Sequence, residues 1–189
     1  MEEPILISYL NDFIFCPASI YFHQLYGSMD TMLFQCSDQI NGTNAHTAVD
    51  NNQYSSKRNV LQAIPVYCEK YNVVGKIDIF DVDAGLLTER KKRIVHIYDG
   101  YIFQIYAQYF SLLEMGYQVK VLRFYATDSN KIYPVKLPSE DPVMLEKFER
   151  TVQAINAFNI GTFHQTNSEN ADIVFTSRHA TGHYYDERQ

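Results

Sequence analysis

Val73-Val74-Gly75-Lys76-Ile77-Asp78-Ile79-Phe80-Asp81-Val82 is followed, across Ala84-Gly85, by Leu86-Leu87-Thr88-Glu89-Arg90-Lys91. Val, Ile, Leu and Phe dominate both runs and a short Gly-containing break separates them, which predicts a β-hairpin with strands over residues 73–82 and 86–98. A further run at 64–71, rich in Val, Ile and Tyr, predicts a third antiparallel strand. Alternation along a strand sends Glu89 and Lys91 to one face. Counted from the Ala84-Gly85 loop, Asp81 or Asp83 lies nearest the turn and Asp78 falls further in, opposite Glu89 to Lys91. Two carboxylates and an ammonium thus share one small site.

Two close carboxylates repel each other unless a divalent cation lies between them, and hard oxygen ligands suit Mg²⁺ or Mn²⁺. Such a cation polarises a phosphodiester and lowers the pKa of a bound water. The lysine orients or deprotonates that water and offsets charge building on the phosphate. This is hydrolytic nuclease chemistry, with Asp78, Glu89 and Lys91 as the candidate catalytic group. The plainer alternative is a solvent-facing strand with an ordinary cross-strand ion pair.

Working outward, Asp99-Gly100 precedes a helix over 101–116, in which Ile102, Ile105, Tyr106, Tyr109, Leu112 and Leu113 recur at helical spacing until Gly116. Strands follow at 119–126 and 131–136 around Asp128-Ser129-Asn130, and then a helix over 139–158. Upstream, residues 5–27 predict two short helices meeting at Pro17, the first capped by Ser8. Residues 28–62 are more polar, and Thr43 can cap a helix with His46 in its first turn. The order of strands, helix, strands, helix predicts an α/β (α+β) chain: a mixed β-sheet flanked by helices, with an N-terminal helical segment. From Gly161 the pattern fails, and residues 164–189 read as an irregular tail after a domain spanning 1–163.

Composition bounds the function. The 189 residues suit one ordinary domain, and 46% hydrophobic with 20% charged residues excludes a disordered or fibrous chain. The acidic start Met1-Glu2-Glu3-Pro4 is unlike a signal peptide and no apolar run approaches the roughly 20 residues of a membrane span, so a cytoplasmic protein without a membrane partner is expected. The net charge of -6 gives no overall attraction to nucleic acid, which leaves the basic run Arg90-Lys91-Lys92-Arg93 as the local patch. Fifteen Tyr and 12 Phe favour a sheet-rich core. Tyr21 and Tyr26 either pack there or stack on a single strand. Cys16, Cys36 and Cys68 lack a regular spacing and default to buried small hydrophobes.

Gly75-Lys76-Ile77-Asp78 and Glu89-Arg90-Lys91 resemble motifs II and III of the PD-(D/E)XK nucleases, and Gln104-Ile105-Tyr106-Ala107-Gln108 resembles the QXXX(Y/Q) motif of their RecB-like branch. His46, in Gly42-Thr43-Asn44-Ala45-His46, sits where that branch has an upstream metal-binding histidine. Tyr9-Leu10-Asn11-Asp12-Phe13-Ile14-Phe15-Cys16-Pro17 and Tyr21-Phe22 resemble the opening of the CRISPR-associated RecB-like exonuclease family of iron-sulfur type. The likeness runs from about Leu6 to about Phe158.

This resemblance implies a restriction-endonuclease-like fold and a metal-dependent deoxyribonuclease. The enzyme would be an exonuclease on single-stranded DNA ends or overhangs, trimming spacer precursors during CRISPR adaptation together with CRISPR integrase subunits. It implies that His46, Asp78, Glu89 and the backbone carbonyl of Arg90 hold Mn or Mg, an imidazole ligand favouring Mn²⁺. Lys91 becomes the catalytic lysine, and Gln104 and Gln108 contact DNA or position Lys91. It also makes Cys16 one ligand of a 4Fe-4S cluster.

The family's three late cysteines, Cys-X2-Cys-X5-Cys, have no counterpart here, since no Cys follows Cys68. Ala171, Val174 and Ala180 have that same spacing, and their codons permit Cys in the adjacent frame. The tail then reads as a frameshifted remnant of an iron-sulfur lobe. Two alternatives accompany the nuclease: a catalytically silent DNA-binding scaffold subunit of the CRISPR integration complex, and a RecB-like DNA repair nuclease.

Overall fold

The computed structural model describes residues 3–21 and 59–162. The helix expected at Thr43, His46, Tyr26, Cys36 and the tail at 164–189 lie outside these described residues. Ile5–Leu6 forms a two-residue strand, β1, that runs straight into helix α1, Ile7–Phe15. Ser8 is not the cap: the extended Leu6 holds that position, with no side-chain hydrogen bond, because the chain enters the helix directly from β1. Pro17 breaks the helix as its missing N–H requires, and residues 18–21 are helical again.

The two strands expected at 64–71 and 73–82 are parts of one antiparallel ribbon that belongs to two sheets. Its first arm comprises β2, Val60–Gln62, and β3, Pro65–Cys68; its second comprises β4, Val73–Lys76, and β5, Ile79–Asp81. The register runs unbroken from Pro65↔Lys76 to Gln62↔Ile79, yet both arms bend between those pairs. The bend is made by Ala63, whose φ of 52° is in the left-handed region, and is bridged by Ala63 N–H donating to the Asp78 carbonyl and Ile77 N–H to the Ile64 carbonyl. On one side of the bend, β4 sits between β1, which it meets in parallel, and β3. On the other lies a five-stranded sheet of order β2-β5-β6-β7-β8, completed by β6 (Leu86–Lys91), β7 (Val121–Ala126) and β8 (Lys131–Val135).

Strand β6 pairs antiparallel with β5 and parallel with β7. Parallel neighbours need a crossover, which helix α2, Asp99–Glu114, supplies. The strand expected to run to residue 98 therefore ends at Lys91, and 92–98 become the link from the sheet to the helix. Helix α3, Pro142–Asn156, starts later than residue 139, because Asp141 is the cap and its carboxylate accepts from Met144 N–H at 3.1 Å, with Pro142 in the first turn. The outcome is a mixed α/β architecture, mixed sheets flanked by helices, as the order of elements predicts. Among the described residues no helix is long and apolar enough to cross a membrane.

The core lies between the sheets and α2, around Leu10, Val73, Phe80, Leu87, Phe103, Ile105, Leu112 and Phe124. The Phe148 ring of α3 joins it, meeting Tyr71, Phe103, Tyr106 and Phe110 at centroid distances of 5.0–6.3 Å. Helix α1 is seated by two close approaches one turn apart. A Cβ on Gly75 would lie 2.9 Å from Ile7 Cδ1, and one on Gly100 would lie 2.6 Å from Asn11 Oδ1. Gly75→Ala should therefore push α1 off β4 and destabilise the protein by about 1–3 kcal/mol, read by urea unfolding. An unchanged midpoint would show that α1 is loosely held.

The C-terminus of α2 is pinned to the β3–β4 turn by Glu114. Its carboxylate accepts from Cys68 Sγ–H at 3.1 Å, Glu69 N–H at 2.6 Å and Lys70 N–H at 3.1 Å. Burial and the bond to Glu114 push the Cys68 thiol up to about 12, so it stays protonated and donates. For Glu114, burial works to raise the pKa, but the Glu69 amide, the Cys68 thiol and the Lys70 amide outweigh it, and the net direction is down from 4.5. A folded-state pKa below the unfolded one means the stabilisation is present above about pH 4.5 and fades as pH falls through the folded value. Wild type should exceed Glu114→Gln in stability at pH 7, and the gap should narrow steadily by pH 3. A pH-independent gap in urea melts would contradict this.

Candidate active site

The bend in the ribbon puts Asp78 where it can serve β6. The last pair of the β5–β6 ladder is Ile79↔Thr88, and β6 continues beyond it to Lys91. There the Asp78 carboxylate meets the strand: Oδ2 accepts from Arg90 N–H at 2.7 Å. This bond to a backbone amide fixes the carboxylate against the strand that carries Glu89 and Lys91.

Glu89 is 6% exposed, and both its oxygens are engaged. Oε1 accepts from Lys91 Nζ at 3.0 Å, the same-face neighbour that alternation predicts, and Oε2 accepts from Gln108 Nε2 at 2.8 Å. Lys91 Nζ also donates to Gln104 Oε1 at 2.7 Å and lies 4.9 Å from the centre of the Tyr101 ring. Gln104 and Gln108 are one turn apart on α2, so one helix face reaches both members of the ion pair. Gln108 Nε2 donates in addition to the Lys76 carbonyl at 3.2 Å; with two acceptors before it, the amide can be oriented only this way round.

Asp78, Glu89, Gln104 and Gln108 line one cleft of about 190 Å³, closed on its other side by Leu6, Ile7, Ser8 and the strand from Val74 to Lys76. The sequence-predicted Asp78, Glu89, Lys91, Gln104 and Gln108 are therefore brought together. Of the two roles open to the glutamines, the structure shows contact with Lys91 for Gln104 and with Glu89 for Gln108. Arg90 enters through its amide, which holds Asp78, whereas its expected part was through its carbonyl. His46 lies outside the described residues. Tyr21 is placed elsewhere: it lines a separate cleft of about 460 Å³ with Tyr9, Ile20, Ile155 and Phe158, because the helical turn at 18–21 leans toward the end of α3.

Sequence reading missed Tyr101, the ring under the lysine. The signal was present, since Tyr101, Gln104 and Gln108 share the i, i+3, i+7 face of α2.

The donor chemistry fits a small hard cation. Carboxylate oxygens are hard ligands with more than one acceptor position, and Mg²⁺ commonly takes one or two carboxylates with water and phosphate completing its shell. Among the described residues no group of three His, Cys, Asp or Glu side chains gathers, so Asp78 and Glu89 are the pair on offer. A four-iron cluster does not fit. It needs four thiolates, the chain has three cysteines, Cys68 is committed as a thiol to Glu114, and Cys16 is 3% exposed at the end of α1.

No protein-family profile and no curated protein matches this chain. Among solved structures the fold of SSO0001 is similar, with a TM-score of 0.52 over 86% of this chain and 80% of that one, at 14% sequence identity. At that identity the likeness speaks for the mixed α/β fold alone.

The Glu89–Lys91 pair is largely shielded, with side chains 9% and 18% exposed, so breaking one partner leaves a charge poorly solvated. Lys91→Met should cost about 2–4 kcal/mol in urea unfolding, and Glu89→Gln in that background should recover part of it. Strictly additive losses would mean the two charges do not interact.

Proposed function

We propose that the protein is a metal-dependent deoxyribonuclease with a restriction-endonuclease-like fold. It acts as an exonuclease on single-stranded DNA ends and trims spacer precursors during CRISPR adaptation beside the integrase. One observation carries the reading: Asp78 and Glu89 line one cleft, with the Lys91 ammonium held against Glu89 by Gln104. The motif resemblance around Gly75 to Asp78, Glu89 to Lys91 and Gln104 to Gln108 supplies the substrate class and the setting.

A Mg²⁺ or Mn²⁺ ion held by Asp78 and Glu89 would turn the site's negative sum positive, polarise a phosphodiester and lower the pKa of water there. The chain's own residues do the rest. Arg90 N–H keeps Asp78 turned toward the cleft, and Gln108 keeps Glu89 from swinging away. Gln104 and Glu89 hold the Lys91 ammonium in one place, where it orients water and offsets charge that grows on the phosphate. The buried strand under these groups prevents the loss of geometry that a surface lysine would suffer.

A second reading, the catalytically silent DNA-binding subunit, draws on one feature: both Glu89 oxygens already have protein donors. Incubating end-labelled single-stranded DNA with Mn²⁺, with Mg²⁺ and with EDTA separates the two. The nuclease reading expects metal-dependent shortening from the ends, lowered at least about 100-fold by Lys91→Ala in protein whose circular dichroism is unchanged. It also expects Mn²⁺ to raise the melting temperature of wild type and not of Asp78→Asn. Cleavage that survives Lys91→Ala, or no cleavage with any metal, would refute it.

A further inference from the structure

A line of aromatic rings leads away from Lys91 across the surface. Tyr101 lies beneath the Lys91 ammonium, Tyr98 meets Tyr101 at 5.7 Å between centroids, and Phe15 meets Tyr98 at 5.6 Å. His96 joins Tyr98 from the side at 6.2 Å. The outer members belong to no core: Phe15 is 49% exposed and Tyr98 is 43% exposed. Their interplanar angles of 66–90° are edge to face, so each contact covers one face of one ring, and Phe15 and Tyr98, each more than two-fifths exposed, keep aromatic surface open to solvent.

Three elements converge to build this line: the end of α1, the 92–98 link and the start of α2. Soluble proteins rarely leave contiguous aromatic surface uncovered unless something binds it. The choice of occupant follows from what borders it. Lys92 and Arg93 are exposed in the same link, Arg93 4.0 Å from Asp128, and Lys91 stands over Tyr101, so the rings adjoin in sequence the most basic run of a chain whose net charge is -6. Flat rings flanked by cations fit a polyanion with flat apolar bases. The ring-to-ring steps exceed the roughly 3.4 Å rise of a stacked strand, which suits an extended single strand with its bases drawn apart.

We propose that Phe15, Tyr98 and Tyr101 form a stacking track for single-stranded DNA that delivers the strand to Lys91, with Lys92 and Arg93 on its phosphates. This deepens the nuclease reading and rests on it for the identity of the strand. Tyr98 is the centre of the track because it touches Phe15, His96 and Tyr101 alike.

The test is binding without chemistry. Fluorescence anisotropy of a labelled oligothymidine, in EDTA, is measured with the full chain and with Tyr98→Ala, Phe15→Ala and Tyr98→Phe. The track expects about tenfold weaker binding for Tyr98→Ala and for Phe15→Ala, near-complete rescue in Tyr98→Phe, and a loss of affinity with added salt that is shallower in Lys92→Ala. Both residues are exposed, and equal melting temperatures establish that the variants are folded. Wild-type affinity in both alanine variants would overturn the track, even if metal-dependent cleavage is present, and would leave the rings as an apolar face for a protein. Ring-dependent binding with no cleavage in any metal would uphold the track and overturn the nuclease reading alone.

Discussion

The bend that Ala63 imposes on the antiparallel ribbon is the constraint on which the rest of the site depends. Without it the arms would continue as a flat two-stranded ladder, and Asp78 would be one more residue alternating along a strand. With it, the ribbon leaves the three-stranded sheet at Lys76 and joins the five-stranded sheet at Ile79. Asp78 is left at the corner, and its carboxylate accepts from the Arg90 N–H just past the end of the β5–β6 ladder. A backbone amide just beyond the end of a ladder thus holds an acidic side chain in the cleft.

Everything else at the site is held from the helix side. The α2 helix crosses β6 with Gln104 and Gln108 facing it, and its own position is set at both ends. At the start, Gly100 allows α1 to come within contact of the helix backbone; at the end, Glu114 gathers the amides of the β3–β4 turn and the Cys68 thiol. Between those anchors Phe103, Ile105, Tyr106 and Leu112 are buried, so the two glutamines have little freedom to retreat from Lys91 and Glu89. A lysine and a glutamate so shielded are costly unless each is hydrogen-bonded, which explains why neutral amides accompany the pair.

The same packing leaves an asymmetry. One side of the cleft is closed by Leu6, Ile7 and Ser8, and beyond Lys91 the Tyr101 ring, packed on Phe124, leads to the exposed Tyr98 and Phe15. Phe103, Phe124 and Phe148 hold the fold, while Phe15 at the end of α1 and Tyr98 at the start of α2 are presented to solvent. The separate cleft at Tyr21 belongs to a different corner, where the residues after α1 meet the end of α3.

Alternation and helical period are local properties of the chain. They are enough to put Glu89 beside Lys91, to put Gln104 beside Gln108, to predict α2 and the β7–β8 hairpin, and to give the mixed α/β class. Three things had no local signature. The bend falls at Ala63, a residue that carries no Gly or Pro signal; β1 is too short to show a period; and the parallel pairing of β6 with β7 joins segments separated by a whole helix, which also cuts β6 short at Lys91. Counting from the Ala84-Gly85 loop puts Asp78 in a strand opposite Glu89 to Lys91, whereas it sits at the corner between β4 and β5, and its bond to Arg90 N–H depends on where the ladder ends. That end, and the landing of the α2 glutamines on β6, are settled by which apolar faces bury each other, a choice made among elements distant in sequence and invisible within any one of them.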